Sequence, residues 1–264
     1  MSQEPGNHQR TEWNGPSLKG RRALVTGASK GIGRGLAVAM ARAGADVHCV
    51  SRNESELQRT QTMAAEHGVR ATYQVADLVS STGAKLAVAS CVAALGGVDI
   101  VLNNAAAGLG AMAVDTTEKI WDEVMAVGLR SPFIICREAG RHMIAQGSGK
   151  IINISSVLGV VGKDNIAAYG SAKHGLIGLT KCLGVEWAPH NVQVNALAPG
   201  WIRTEMTADY WADAERSKLI TDRTPARRWG EVDDLVGAAV FLASPASDFV
   251  TATVLLVDGG FTAI

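Results

Sequence analysis

The chain has 264 residues, and its 25 Lys plus Arg are matched by 25 Asp plus Glu. That balance gives no global pull toward nucleic acid or an anionic membrane, and leaves a small neutral-to-anionic ligand as the expected partner. The length suits one large α/β domain with a full core and requires no second one.

Residues 1–17 are polar, contain Pro5, Gly6, Gly15 and Pro16, and lack the apolar centre of a signal peptide. They read as a flexible N-terminal tail ahead of a single domain over 18–264. A short buried strand is expected at Ala23–Thr26. It runs into Thr26-Gly27-Ala28-Ser29-Lys30-Gly31-Ile32-Gly33, and then into a helix that reaches Arg42 and stops at Gly44. Further strands are expected at Asp46–Ser51, Ala71–Val75, Ile100–Asn103, Lys150–Ser155, Gln193–Leu197 and Thr253–Val257, each separated by a helix-length segment. This is the βαβ rhythm of a doubly wound parallel sheet of about seven strands. Gly68 and Gly96-Gly97 fall where helix C-caps belong. The longest interruption runs from Thr204 to Arg228. No window holds the roughly 18 apolar residues needed to cross a bilayer. Cys49, Cys91, Cys136 and Cys182 lie in apolar segments with neither Cys-x-x-Cys nor His spacing, so no metal or disulfide is expected. They read as reduced core thiols of a cytoplasmic protein.

Strand, glycine turn and helix start form an anion site, because free backbone N–H groups and the helix dipole favour a pyrophosphate that glycines let approach closely. The spacing here is Gly-x-x-x-Gly-x-Gly rather than Gly-x-Gly-x-x-Gly. Far downstream, Tyr169 and Lys173 stand four apart, which puts a phenol and a cation on one helix face. A phenol has a pKa near 10, and a neighbouring ammonium favours the phenolate, making proton exchange with an alcohol or carbonyl oxygen feasible. Ser156 is placed to hold that oxygen.

The glycine segment, Asn103-Asn104-Ala105, Ser156, Tyr169-x-x-x-Lys173, Asn195-Ala-Leu-Ala-Pro199-Gly200 and Val257-Asp258-Gly259-Gly260, in this order and spacing, resemble the short-chain dehydrogenase/reductase family over about residues 18 to 262. The resemblance implies a Rossmann-like single domain, hydride transfer between a nicotinamide and a small carbonyl or secondary alcohol, and a substrate lid at about 204–228. It implies that Ser156 bonds the substrate oxygen, Tyr169 exchanges its proton, and Lys173 bonds the nicotinamide ribose. It places the cofactor on Gly27, Ser29, Lys30, Gly31, Ile32 and Gly33, then on Ser51 and Arg52, on Asp77 and Leu78, on Asn103 and Ala105, and on Pro199, Gly200, Ile202 and Thr204. It gives Asn103 a cofactor-side role and Asn104 a structural one.

The second strand ends Ser51-Arg52-Asn53. Arg52 can fork onto a phosphate and Lys30 adds a second cation, so NADP(H) is the expected cofactor; the alternative is a solvated Arg52 with Glu54 on the ribose. Asp77 is either an adenine contact or a helix N-cap, and Ser155 competes with Ser156 for one role. His174 reads as a surface or interface residue.

Two departures from the family stand out: Ala106 replaces the usual Gly after Asn-Asn-Ala, and Gly128 replaces an Asn that carries a relay water. The stretch from Arg223 to Ser244 resembles gluconate 5-dehydrogenases and their polyol or sugar-acid relatives, and Arg227 or Arg228 is a candidate carboxylate clamp or else a solvated face. A 3-oxoacyl reductase is the enzymatic alternative. A non-catalytic NADP-binding regulatory protein is the alternative of another class. Apolar stretches around Gly128, over 175–187 and at Thr253–Val257 point to a homotetramer, as the resemblance also implies.

Overall fold

Seven strands form the sheet: β1 Arg22–Thr26, β2 Asp46–Ser51, β3 Ala71–Val75, β4 Ile100–Asn103, β5 Gly149–Ile154, β6 Val192–Pro199 and β7 Val254–Val257, and the inner ones, covered on both faces, are largely apolar and buried while the edge strands β3 and β7 are partly exposed. The order is β3-β2-β1-β4-β5-β6-β7, with every pairing parallel. This computed structural model describes residues 15–108 and 110–264; the expected tail therefore lies outside the described residues as far as position 14. Leu18 is already buried, its N–H bonded to the Ala43 carbonyl at 2.7 Å.

Helices α1 (Gly31–Arg42) and α2 (Glu54–Ala65) cover one face together with α9 (Asp233–Ala243), through Leu36, Met40, Leu57, Leu235 and Val240. On the other face lie α3 (Ser81–Leu95), α5 (Ser131–Gln146) and α6 (Ala167–Trp187), through Val88, Ile135, Met143, Leu183 and Trp187. Local chemistry marks the ends. The Asn53 side chain caps α2 and Ser80 caps α3, which closes on Gly96 at φ 81°. The 204–228 segment is a 3₁₀ turn, Glu205–Thr207, followed by α7 (Ala208–Trp211) and α8 (Ala214–Arg223).

Helix α4 (Glu118–Met125) joins α5 through a π turn, Ala126–Arg130. The Ser131 N–H reaches back five residues to the Ala126 carbonyl, and Pro132 has no N–H to offer the Gly128 carbonyl four residues before it. Ala126 and Gly128 are buried, while Val127 and Leu129 are partly exposed and Arg130 is exposed. Cys49, Cys91 and Cys136 are buried, but Cys182 is exposed. The reading of all four as core thiols fails at Cys182, because it lies off the stripe of α6 that carries Leu176, Thr180, Leu183 and Trp187 inward.

Candidate active site

The strand order reverses between β1 and β4, and there the carboxyl ends of the strands leave a crevice. A cleft of about 380 Å³ occupies it. Its floor is stitched across the reversal: the Thr26 hydroxyl accepts the Asn104 and Ala105 N–H groups at 3.1 and 3.2 Å, and the Asn104 amide donates to the Thr26 and Gly27 carbonyls at 3.1 and 3.2 Å. Gly27 (φ 64°) and Gly31 (φ 53°) hold left-handed backbone that favours glycine. With the start of α1 behind them, they shape the anion site the sequence implied.

Lys30 and Arg52, both exposed, line the outer end of the cleft. The Ser51 hydroxyl donates to the Ser29 hydroxyl at 3.0 Å, tying β2 to the glycine turn. Glu54, the alternative ribose partner, accepts instead from the Tyr73 hydroxyl at 3.2 Å. Asp77 and Leu78 also line the cleft. Asp77 is not the cap of α3, since that is Ser80; its carboxylate accepts the Val79 N–H at 3.0 Å. Ile32, Gly33, Ala105, Pro199, Gly200, Ile202 and Thr204 are on the lining as well.

Asn103 is not on it. Its side chain is buried at the end of β4, donating to Asn153 Oδ1 at 2.9 Å and to Cys136 Sγ at 3.2 Å. The Asn103 side chain thus fastens β4 to β5, and the Asn104 side chain, as the structural role expected of it implies, ties the end of β4 to β1.

Ser156, Tyr169 and Lys173 meet on the inner wall. The Leu158 N–H donates to Ser156 Oγ at 3.1 Å, fixing the oxygen and leaving its O–H free to donate. Ser155 Oγ is committed to the Lys173 carbonyl at 3.2 Å. Lys173 Nζ donates to the Ile154 carbonyl at 2.6 Å and lies 5.6 Å from the Tyr169 ring centroid. Burial pushes the Lys173 ammonium down to about 8 and the Tyr169 phenol above its ordinary value, the Ser156 hydrogen bond pulling the phenol partly back. For Tyr169 desolvation is the larger influence, so its phenol is held in the protonated form at neutral pH.

The substrate end holds Met206 and Tyr210 from the expected lid segment, together with Glu123, Val127, Lys163 and Trp201, which no motif marked. The clamp candidates from the sequence lie elsewhere. Arg227 donates to the Asp222 carbonyl at 2.6 Å, and Arg228 forks onto Asp234 at 2.6 and 2.8 Å; neither lines the cleft. His174 is exposed, its Nδ1 2.9 Å from the Gly170 carbonyl.

Gly128 faces α6, and a Cβ there would stand 2.9 Å from the Ala172 Cβ. Sequence reasoning alone has Gly128→Asn raising turnover or leaving it unchanged if the site has room. The packing reverses that expectation. Overpacking costs about 1–3 kcal/mol, and relief must move Ala172, the residue before Lys173. Gly128→Asn is expected to lower both the unfolding midpoint in urea and kcat; a variant as stable and active as the wild type would show that the π turn yields freely.

A glycine-turn anion site and a Ser, Tyr and Lys group at opposite ends of one cleft define a dinucleotide-dependent oxidoreductase. The family described as Enoyl-(Acyl carrier protein) reductase matches residues 27–262. The chain is 43% identical to a gluconate 5-dehydrogenase of Gluconobacter oxydans over 93% of its length and 96% of that protein's. It is 42% identical to a 2-dehydro-3-deoxy-D-gluconate 5-dehydrogenase of Escherichia coli, over 94% and 97%. A gluconate 5-dehydrogenase structure from Burkholderia cenocepacia, in complex with NADP and tartrate, superposes with a TM-score of 0.90 at 40% identity, over 94% of this chain and 97% of that one. The chain belongs to the short-chain dehydrogenase/reductase family.

Proposed function

We propose that this protein is an NADP(H)-dependent dehydrogenase/reductase that interconverts a secondary alcohol and a ketone on a sugar acid or related polyol. The observation that carries the reading is a single cleft with cations at its adenosine end and Ser156, Tyr169 and Lys173 at its inner end. The relatives named for gluconate substrates and the neighbour holding NADP and tartrate support the cofactor and the substrate class. Ser156 bonds the substrate oxygen and Tyr169 exchanges its proton, while Lys173 holds the nicotinamide ribose. The nicotinamide, when bound, gives or takes the hydride. Following NADPH absorbance across keto-hexonates, ketoses, oxoacyl thioesters and aromatic ketones tests the proposal; turnover confined to thioesters, or absent throughout, would reject it.

Arg52 and Lys30 are assigned to the 2′-phosphate. A hydrogen bond to a charged group contributes about 1.5–3 kcal/mol, roughly 10- to 150-fold in affinity. Arg52→Ala is expected to weaken NADPH by that factor in a fluorescence titration and to leave NADH unchanged. Equal losses for both cofactors would place the arginine elsewhere.

The segment over 204–228 is assigned as the lid, supported by Met206 packing close to Gly108 across the cleft. A homotetramer is supported by fully exposed Phe249 and by exposed Val185, Phe133 and Leu256; light scattering at micromolar concentration returning the monomer mass would overturn it. Free thiols fit the reducing cytoplasm, and among the described residues no helix is long and apolar enough to cross a membrane.

A further inference from the structure

Val157–Ile166 links the two ends of the catalytic pair, from Ser156 at the close of β5 to the start of α6, two residues before Tyr169. Lys163 sits on this link and lines the cleft. Its side chain is 27% exposed. Four lysines and arginines are on the lining. Lys30 and Arg52 stand at the adenosine end, and Lys173 is buried with its Nζ on the Ile154 carbonyl. That leaves Lys163 as the cation of the substrate end among the described residues. The rest of the lining at this end is mixed: Leu158, Ile166, Trp201 and Met206 are apolar, and Glu123 and Glu205 add carboxylates that favour a cation beside them.

The partner Lys163 has is a weak one. Its Nζ lies 2.9 Å from Asp164 Oδ1, but that carboxylate's side chain is 77% exposed, and pairs of this kind contribute little in water. The same Nζ stands 5.7 Å from the Tyr210 ring centroid, which in turn packs on Trp201 at 5.3 Å. The ammonium thus bridges the link and the 204–228 segment, held over an aromatic face without being neutralised. Lys163 lines the same cleft as Ser156 and Tyr169.

We propose that Lys163 binds the carboxylate of the substrate and so sets the preference for hydroxy- and keto-acids over neutral polyols. The assignment rests on the sugar-acid reading above. Lys163 acts as a specificity residue: it holds the end of the substrate remote from the reacting carbon equally in ground and transition states, so its loss raises KM and spares kcat.

The test compares gluconate and 2-dehydro-3-deoxygluconate with sorbitol, a neutral polyol of gluconate's chain length. Lys163→Met is expected to raise KM for the two acids about 10- to 100-fold, the value of a lost charge-assisted bond, with kcat and the sorbitol kinetics within about threefold of wild type by the same reasoning. Lys163→Arg should restore most of the affinity. Asp164→Asn, which removes the competing carboxylate, should lower KM for the acids, an effect that a merely structural lysine does not produce. NADPH titration of each variant checks that the fold is intact. A wild-type enzyme inert toward every sugar acid would overturn the substrate reading and this inference with it. A wild type active on the acids, with Lys163→Met unchanged, or impaired equally on acids and sorbitol, would overturn the inference alone.

Discussion

Tyr169→Phe is expected to lower turnover by about 10²–10⁴, the usual scale for a positioned acid or base, while NADPH affinity and the unfolding midpoint stay near those of the wild type. The substitution removes one hydroxyl from a ring that otherwise packs beside Ala168, Ala172 and Leu158, and that packing survives it. What is lost is the proton. Burial holds the Tyr169 phenol above its ordinary pKa, so at neutral pH it carries the hydrogen that a substrate carbonyl needs when hydride arrives. Ser156 does not take over, because its oxygen is pinned by the Leu158 N–H and a hydroxyl is a far weaker acid than a phenol. Lys173 does not either, since its Nζ is bonded to the Ile154 carbonyl. Single-turnover measurements with excess NADPH separate the chemical step from cofactor binding. A Phe variant with near wild-type kcat would remove the tyrosine from the mechanism.

The sheet was legible because inner parallel strands are mostly apolar and every strand is bounded by helix-length segments, so β2, β3 and β4 lie at their expected bounds. The ends of β1, β5, β6 and β7 differ by one or two residues, since hydrogen bonding to a neighbour extends or trims a strand irrespective of its own composition. The cofactor end of the cleft was legible for a related reason: backbone and strand-end residues build it, and these follow directly from the order of elements.

The other half was not, because loop side chains build it. Arg227 and Arg228 looked available for a carboxylate, but their partners, the Asp222 carbonyl and Asp234, come to them only through the turn that follows α8. Lys163 belongs to no motif, and only the folding of the link against Tyr210 brings it into the cleft. Asn103 and Asn104 show the finest limit. Successive strand residues point to opposite sides, so the residue on which β4 stops decides which amide is bonded to β5 and which to the end of β1, and two adjacent asparagines leave that open. Cys182, by contrast, was within reach: the inward stripe of α6 at 176, 180, 183 and 187 already excludes it.

Gly33→Ala is expected to destabilise the protein far more than Gly31→Ala, although both add one methyl to the same turn. At Gly31 the new Cβ meets only Thr204 and Glu205, at 3.4–3.6 Å, which is ordinary contact. Its cost is the left-handed backbone at φ 53°, about 1–2 kcal/mol for a residue with a Cβ, or roughly 2–8 °C in melting temperature for a chain of this size. At Gly33 the backbone is ordinary but the space is absent. A Cβ there would lie 2.7 Å from the Gly27 carbonyl carbon and closer still to the Gly27 oxygen and to Asn104 Nδ2. None of these is the free end of a flexible side chain: the Asn104 amide is itself bonded to the Thr26 and Gly27 carbonyls. The methyl must therefore separate α1 from β1 and break the stitch across the strand reversal at once, a combination expected to exceed about 4 kcal/mol. Urea unfolding of the two variants is the measurement. Gly31→Ala should fold with a modestly lower midpoint, and Gly33→Ala should either show a midpoint shift several times larger or fail to give folded protein. Two variants with equal midpoints would mean that the turn is held less tightly than its contacts imply.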